Sequence, residues 1–212
     1  MEATELVMAL KYADSQKSRS QQIEIGPSEI GGCKRKTWLK LHNYPEVNNT
    51  LKFPAIFGTA IHKAIEEAIV LSDPFNAYEL EVEVLDPDTG IKGHIDLYDS
   101  SRGMVVDWKT TKKASLRDFP SLAQRYQVHL YGYLLAKSGR PVTDVCLVAI
   151  PRDGTELDVK WFQEPYDSAL ALEAVEWYVD VTTRESMPEP EKPVQFCKGY
   201  CPYFGDGSCL GR

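Results

Sequence analysis

The sequence predicts an α/β fold, and three observations carry that prediction. Residues 79–85, 93–98 and 104–109 are short runs of strand character separated by turn-rich segments. Residues 57–71, 122–136 and 168–183 place apolar side chains at helical spacing. A further β-rich run at 145–150 follows the second of those helical stretches, so strands and helices alternate along the chain.

The elements follow in order. Residues 1–25 read as an arm, a short helix or loose segment, ending in a linker, because SQKSRSQQ at 15–22 has no apolar period. Order is expected to begin near Ile25. Ser28 is placed to cap a helix carrying Trp38, Leu39 and Leu41, with Gly31 and Gly32 marking a break or a close backbone approach. In 57–71, Ile61, Ile65, Ala68 and Ile69 form the apolar face, which assigns His62 and Glu66 to the opposite face, one turn apart. The three strands that follow are joined by DPDTG at 86–90 and DSSRG at 99–103, short turns that make an antiparallel meander. The helix at 122–136, the strand at 145–150, a strand at 157–162 and the helix at 168–183, with Leu172, Val175, Trp177 and Val179, complete the core. After that, Pro188, Pro190 and Pro193 exclude regular structure, and Cys197, Cys201 and Cys209 close the chain. There is no internal repeat.

A chain of 212 residues with 43% hydrophobic content is long enough to bury one sizeable core. No apolar run approaches the ~20 residues that cross a bilayer, and Glu2 and Glu5 stand where a secretory signal carries positive charge, so the expectation is a cytoplasmic protein with no membrane partner. In that compartment five cysteines are ligands or core thiols rather than a disulfide framework. Cys146, inside VCLVAI, reads as a core thiol. The net charge of −7 argues weakly against a nucleic-acid partner, since phosphates respond to the local field and basic islands exist at Lys34, Arg35 and Lys36 and again at Lys109, Lys112, Lys113 and Arg117. Arg35, Lys112, Lys113 and Arg117 are the candidate nucleic-acid contacts; the competing reading is a solvated face.

The second and third strands carry the chemistry. Residues two apart on a strand share a face, so Asp107 and Lys109 point together. If the hairpin closes symmetrically about the Ser101-Arg102 peptide, Asp96 falls opposite Asp107, with Cβ atoms roughly 5 Å apart. Two like charges so placed need compensation, and a divalent cation with hard oxygen preference provides it: Mg²⁺ or Mn²⁺ both activates water and shields a phosphate. Lys109 is then placed to orient the water or to stabilise charge on the phosphate, and the Trp108 carbonyl to add an oxygen ligand. The alternative is an ordinary weak ion pair on a solvated strand.

At these residues the sequence resembles the RecB-like branch of the PD-(D/E)xK nucleases, from about Gly26 to Cys209. Gly93-His94-Ile95-Asp96 matches its G-x-x-D, and Asp107-Trp108-Lys109 its D-x-K. Gly58-Thr59-Ala60-Ile61-His62 is similar to the upstream motif, whose histidine is a metal ligand, and Gln127-Val128-His129-Leu130-Tyr131 matches the downstream Q-x-x-x-Y. Ile95 occupies the place of the proline in the superfamily's name. The resemblance implies a restriction-endonuclease-like core, a mixed central sheet flanked by helices, with Asp96, Asp107, Lys109, Gln127 and Tyr131 catalytic and His62, Asp96, Asp107 and the Trp108 carbonyl around the metal. Glu66 ranks below these as a possible supporting residue.

Cys33 and the closing C-x3-C-x7-C of Cys197, Cys201 and Cys209 offer four thiolates, enough for a [4Fe-4S] cluster or one zinc ion; spacing alone leaves both open. A subset of RecB-like nucleases, including the fourth CRISPR-associated family and its phage relatives, is similar in placing one cysteine before the core and three after it around an iron-sulfur cluster. This chain departs from that pattern by the three residues between Cys197 and Cys201. GPSEIGGCKRK also resembles the phage-borne members. The resemblance implies a nuclease domain over 26–212, cluster elements at 28–40 and 193–210, and a metal-dependent DNA exonuclease acting on single strands or ends, phage-encoded and serving recombination or DNA processing. A DNA-end-binding accessory protein of recombination or CRISPR adaptation, with little turnover, is the alternative, and the sequence leaves polarity and oligomeric state open.

Overall fold

The computed structural model describes residues 3–16, 24–48, 53–73, 75–191, 194–205 and 209. By chain contacts it divides into two units. One holds residues 26–32 and 54–183; the other holds 1–25, 33–53 and 184–212.

The first of these units is built on a five-stranded sheet in the order β1-β2-β3-β4-β5, with β1 at Tyr78–Leu85, β2 at Lys92–Asp99, β3 at Met104–Thr111, β4 at Asp144–Pro151 and β5 at Lys160–Pro165. β1, β2 and β3 form the antiparallel meander, β3 and β4 run parallel, and β5 returns antiparallel, so the sheet is mixed. A parallel pair needs a crossover, and the helix Leu122–Lys137 between β3 and β4 provides it. The β2/β3 register pairs Leu97 with Val106, Tyr98 with Val105 and Asp99 with Met104, which is the symmetric closure expected about the Ser101-Arg102 peptide. Asp99 fixes this turn by accepting from the amides of Ser101 and Arg102 and from the Ser101 hydroxyl.

Both sheet faces are covered. On one, Leu97, Met104, Val106, Trp108, Cys146 and Val148 are buried, with Ile65 and Ile69 packed on them. Ile65 and Ile69 belong to the helix Phe53–Ser72, and Cys146 is the fully buried core thiol expected, burial pushing it up to about 12. The helix Leu122–Lys137 packs on β3 and β4 and on the closing helix Ser168–Thr183. Sandwiched this way it buries Val128, Leu130, Leu134 and Leu135 together with the polar Gln127 and His129. Burying polar groups requires partners. His129 finds Glu164 at 3.0 Å through Nε2 and accepts from the Asp167 amide at Nδ1, while Arg125 forks onto both Glu164 oxygens at 2.8 Å. A capping box, Ser121 with Gln124, starts the helix.

The second unit contains the helices Ala3–Ser15, Lys34–Leu41 and Val194–Tyr200. Trp38 Nε1 donates to Arg184 O at 2.9 Å and Arg35 Nη1 to Pro188 O at 3.2 Å, tying the returning chain to Lys34–Leu41. Pro202 O accepts from the amides of Val47 and Asn48 at 2.9 and 3.0 Å. Among the described residues no helix is long and apolar enough to cross a membrane.

Numbering helices in chain order gives α1 at Ala3–Ser15, α2 at Lys34–Leu41, α3 at Phe53–Ser72, α4 at Leu122–Lys137, α5 at Ser168–Thr183 and α6 at Val194–Tyr200. Four expectations need correction. Ser28 lies in a 3-10 turn, Pro27–Glu29, and α2 begins after Cys33, because Gly31 adopts φ +74° and breaks the chain between them. His62 and Glu66 share the sheet-facing side of α3 with Ile65 and Ile69, whereas Ala68 is exposed. β5 starts at Lys160, after a 3-10 turn at Glu156–Asp158. The tail carries α6, so regular structure resumes after its prolines. The linker at 17–23 lies outside the described residues.

Candidate active site

Asp96 and Asp107 stand one step beyond the last paired residues of the β2/β3 ladder, where the side chain of Asp96 replaces a strand partner: its Oδ2 accepts from the Trp108 amide at 2.9 Å. Both carboxylates are buried, at 7% and 1% exposure. α3 brings His62 to Asp96, Nδ1 to Oδ1 at 3.3 Å, with the imidazole edge-on to the Trp108 ring. Lys109 sets its ammonium 2.7 Å from Asp107 Oδ2. α4 approaches from its own side and donates Gln127 Nε2 to Asp107 Oδ1 at 3.1 Å, and the same nitrogen meets Tyr131 OH at 3.2 Å.

The glycine of G-x-x-D has a steric reason. A β-carbon at Gly93 would stand 2.9 Å from both Pro27 Cγ and Tyr131 Cε1, so the strand passes Tyr131 only without a side chain there.

The electrostatics follow from burial and crowding. Burial pushes the Asp107 carboxyl up to about 6; the Lys109 ammonium opposes this and the Asp96 charge adds to it. Burial alone would lower the His62 imidazole, but its hydrogen bond to Asp96 and the charges of Asp96 and Asp107 hold it above its ordinary value. Asp107 Oδ2, despite the ion pair with Lys109, accepts no well-directed hydrogen bond. Two buried carboxylates beside an imidazole, one oxygen lacking a directed donor, are a donor set of the hard kind that Mg²⁺ and Mn²⁺ prefer. Among the described residues no three His, Cys, Asp or Glu side chains stand together closely enough to hold an ion as they are placed.

Sequence reasoning missed Glu81. In the β1/β2 register Leu80 pairs with Leu97 and Val82 with Ile95, which sets Glu81 opposite Asp96, but its backbone is turned out of the ladder to φ +48°. Burial, then the charges of Asp96 and Glu66, push its carboxyl up. No sequence signal marks such a positive-φ residue inside an alternating strand.

The other expected residues are distributed as follows. Lys112 is exposed at the end of β3, Lys113 pairs with Asp158 at 2.7 Å, and Arg117 pairs with Asp118 at 2.9 Å. Arg35 lies on α2, in the other unit. That unit also holds Cys33, which precedes α2, Cys197 and Cys201 at the end of α6, and Cys209. Burial first, and then the neighbouring thiols, push up Cys197 and Cys209, with Cys33 and Cys201 acting on both. Among the described residues these cysteines are not gathered into a group of three or more that could hold a metal ion.

Residues 69–205 match the family model of the PD-(D/E)XK nuclease superfamily, a span that contains Asp96, Asp107, Lys109, Gln127 and Tyr131 and begins after His62. No curated protein matches the chain in sequence. In three dimensions it is similar to the crystal structure of SSO0001, at 20% identity and a TM-score of 0.66, over 100% of this chain and 98% of that one. It is also similar to an alkaline exonuclease, LHK-Exo, of Laribacter hongkongensis, at 12% identity and a TM-score of 0.51, over 77% of this chain and 88% of that one. LHK-Exo has also been solved in complex with dAMP.

Proposed function

The chain belongs to the PD-(D/E)XK nuclease superfamily, and on that premise we propose that it is a divalent-metal-dependent DNA exonuclease acting on single strands or DNA ends. The observation that carries this reading is the buried Asp96 and Asp107 brought together where β2 and β3 part, with Lys109 2.7 Å from Asp107.

Asp96, Asp107, His62 and the Trp108 carbonyl are the groups that would hold Mg²⁺ or Mn²⁺. Such an ion, when bound, acidifies water and shields the phosphate. Gln127, tethered to Tyr131, keeps Asp107 in one orientation by donating to Oδ1. Lys109 orients the attacking water and stabilises the negative charge that builds on the phosphate. The similarity in fold to the alkaline exonuclease LHK-Exo, and that protein's complex with dAMP, support a DNA substrate.

In this reading residues 26–212 act as one nuclease domain, and Cys33, Cys197, Cys201 and Cys209 hold a [4Fe-4S] cluster, zinc being the alternative. The segment GPSEIGGCKRK at 26–36 supports a phage origin, with a role in recombination or DNA processing in the host cytoplasm.

Two measurements test the reading. Protein purified without air should degrade linear single-stranded DNA when Mg²⁺ or Mn²⁺ is added and not in chelator. It should be brown with a broad visible absorbance. DNA bound at ends without cleavage would instead favour the accessory-protein reading, and a colourless protein with stoichiometric zinc would replace the cluster.

A further inference from the structure

The carboxyl ends of β3 and β4 carry a cation that the site described above does not use. In the parallel pair, Lys109 sits beside Ala149, Thr110 beside Ile150 and Thr111 beside Pro151. Arg152 follows, held by its amide, which donates to Thr111 O at 2.9 Å. Its guanidinium is half-buried and folds back over the strand ends, Nη1 donating to Thr110 Oγ1 at 3.4 Å. Thr110 lies beneath α3, where a β-carbon at Gly58 would stand 3.5 Å from its hydroxyl, and His62 is one helical turn further along that helix. Thr110, the partner of Arg152, thus lies close to the helix that delivers His62 to Asp96.

Its surroundings differ from those of the other arginines in this unit. Arg102 meets Asp99, Arg117 meets Asp118, Arg125 meets Glu164 and Arg140 meets Glu79. Among the described residues Arg152 meets no carboxylate, only the Thr110 hydroxyl. A guanidinium offers five donors in a planar fork that fits two oxygens of one anion. Partial burial with a single neutral partner leaves most of that fork uncommitted. Ligands of open α/β sheets bind at the carboxyl ends of the strands, and that is where Arg152 stands. Lys112, exposed just past Thr111, adds positive field on the same edge.

We propose that Arg152, braced by Thr110, binds a non-scissile phosphodiester of the DNA strand next to the carboxylate site. This rests on the reading of that site as a DNA nuclease. The contact positions the strand without reading its sequence, as phosphate contacts do.

The test measures binding of a single-stranded oligonucleotide to the full chain in Ca²⁺, across a series of salt concentrations, with steady-state cleavage in Mg²⁺ measured in parallel. Arg152→Gln should lower the slope of log K against log salt by about 0.7, the loss of one single-strand phosphate contact. It should raise KM while leaving kcat near the wild-type value. Arg152→Lys, which keeps the charge and loses the fork, should restore the slope but only part of the affinity. Thr110→Val should weaken binding without changing the slope. An Arg152→Gln protein that melts with the wild type and shows its slope, affinity and KM would overturn the proposal while leaving the nuclease reading intact. A wild-type protein that neither binds nor cuts DNA would overturn both.

Discussion

Gly93 and Tyr131 approach so closely that a β-carbon at position 93 would lie 2.9 Å from Tyr131 Cε1. The glycine of one sequence motif thus makes room for the tyrosine of another, and Tyr131 in turn meets the Gln127 amide that holds Asp107.

Gly93→Ala should therefore act at a distance from its own strand. Overpacking against Pro27 and Tyr131 costs about 1–3 kcal/mol. Displacing Tyr131 should also lower the cleavage rate more than the fall in melting temperature explains. Thermal melting and single-turnover cleavage, measured on one preparation, check both.

Gln127→Leu removes the donor to Asp107 Oδ1 and keeps the apolar bulk of a buried helix position. Groups that orient a metal ligand typically contribute about 10–100-fold in metal affinity or activity. The variant should need a higher Mg²⁺ concentration for half-maximal rate, with a smaller change in its melting temperature. A Mg²⁺ titration of initial rate reads this.

Glu81 holds a left-handed backbone, φ +48°, opposite Asp96. That conformation costs a residue with a β-carbon about 1–2 kcal/mol, while glycine's extra chain entropy costs about 0.5–1 kcal/mol. The first term is the larger, so Glu81→Gly should stabilise the fold by up to about 1 kcal/mol. If the strain serves the site, the same change should reduce activity. Denaturant unfolding and cleavage rate should move in opposite directions.

Asp86 gives a pH dependence of stability. Burial alone would raise its carboxyl, but the bonds from Lys137, Thr89 and the Asp88 amide outweigh burial and hold it below the ordinary value. A depressed pKa contributes stability that is fully present above the unfolded value of about 3.9 and is lost as pH falls through the folded value. Asp86→Asn should be less stable than wild type at neutral pH, and the gap should close on acidification below about pH 4. Melting curves of the two proteins across that range measure it.

The sequence made the meander and its register legible because a short turn leaves few ways to close a hairpin, and Leu97 with Val106 pairs as symmetry requires. The shared face of Asp107 and Lys109 follows from the two-residue strand period, and His62 and Gln127 meet Asp96 and Asp107 in the fold. What escaped was set by backbone angles and non-local pairing. The positive φ at Glu81 has no signature in an alternating strand. Arg152 reaches Thr110 only because β4 lies parallel to β3, a pairing that no local pattern specifies. His62 lies on the sheet-facing side of α3 because the partly buried Ile65 and Ile69 pack on the sheet while Ala68 is exposed, a distinction that apolar spacing does not make.

The most direct test of the acid, acid and lysine set is strand-resolved digestion of end-labelled DNA with Mg²⁺ by wild type, Asp107→Ala and Lys109→Ala, each with its melting temperature recorded. Wild type should shorten the strand progressively from an end, and both variants should remain folded while losing about 10²-fold or more in rate. A folded Asp107→Ala or Lys109→Ala protein that digests DNA at the wild-type rate would contradict the assignment.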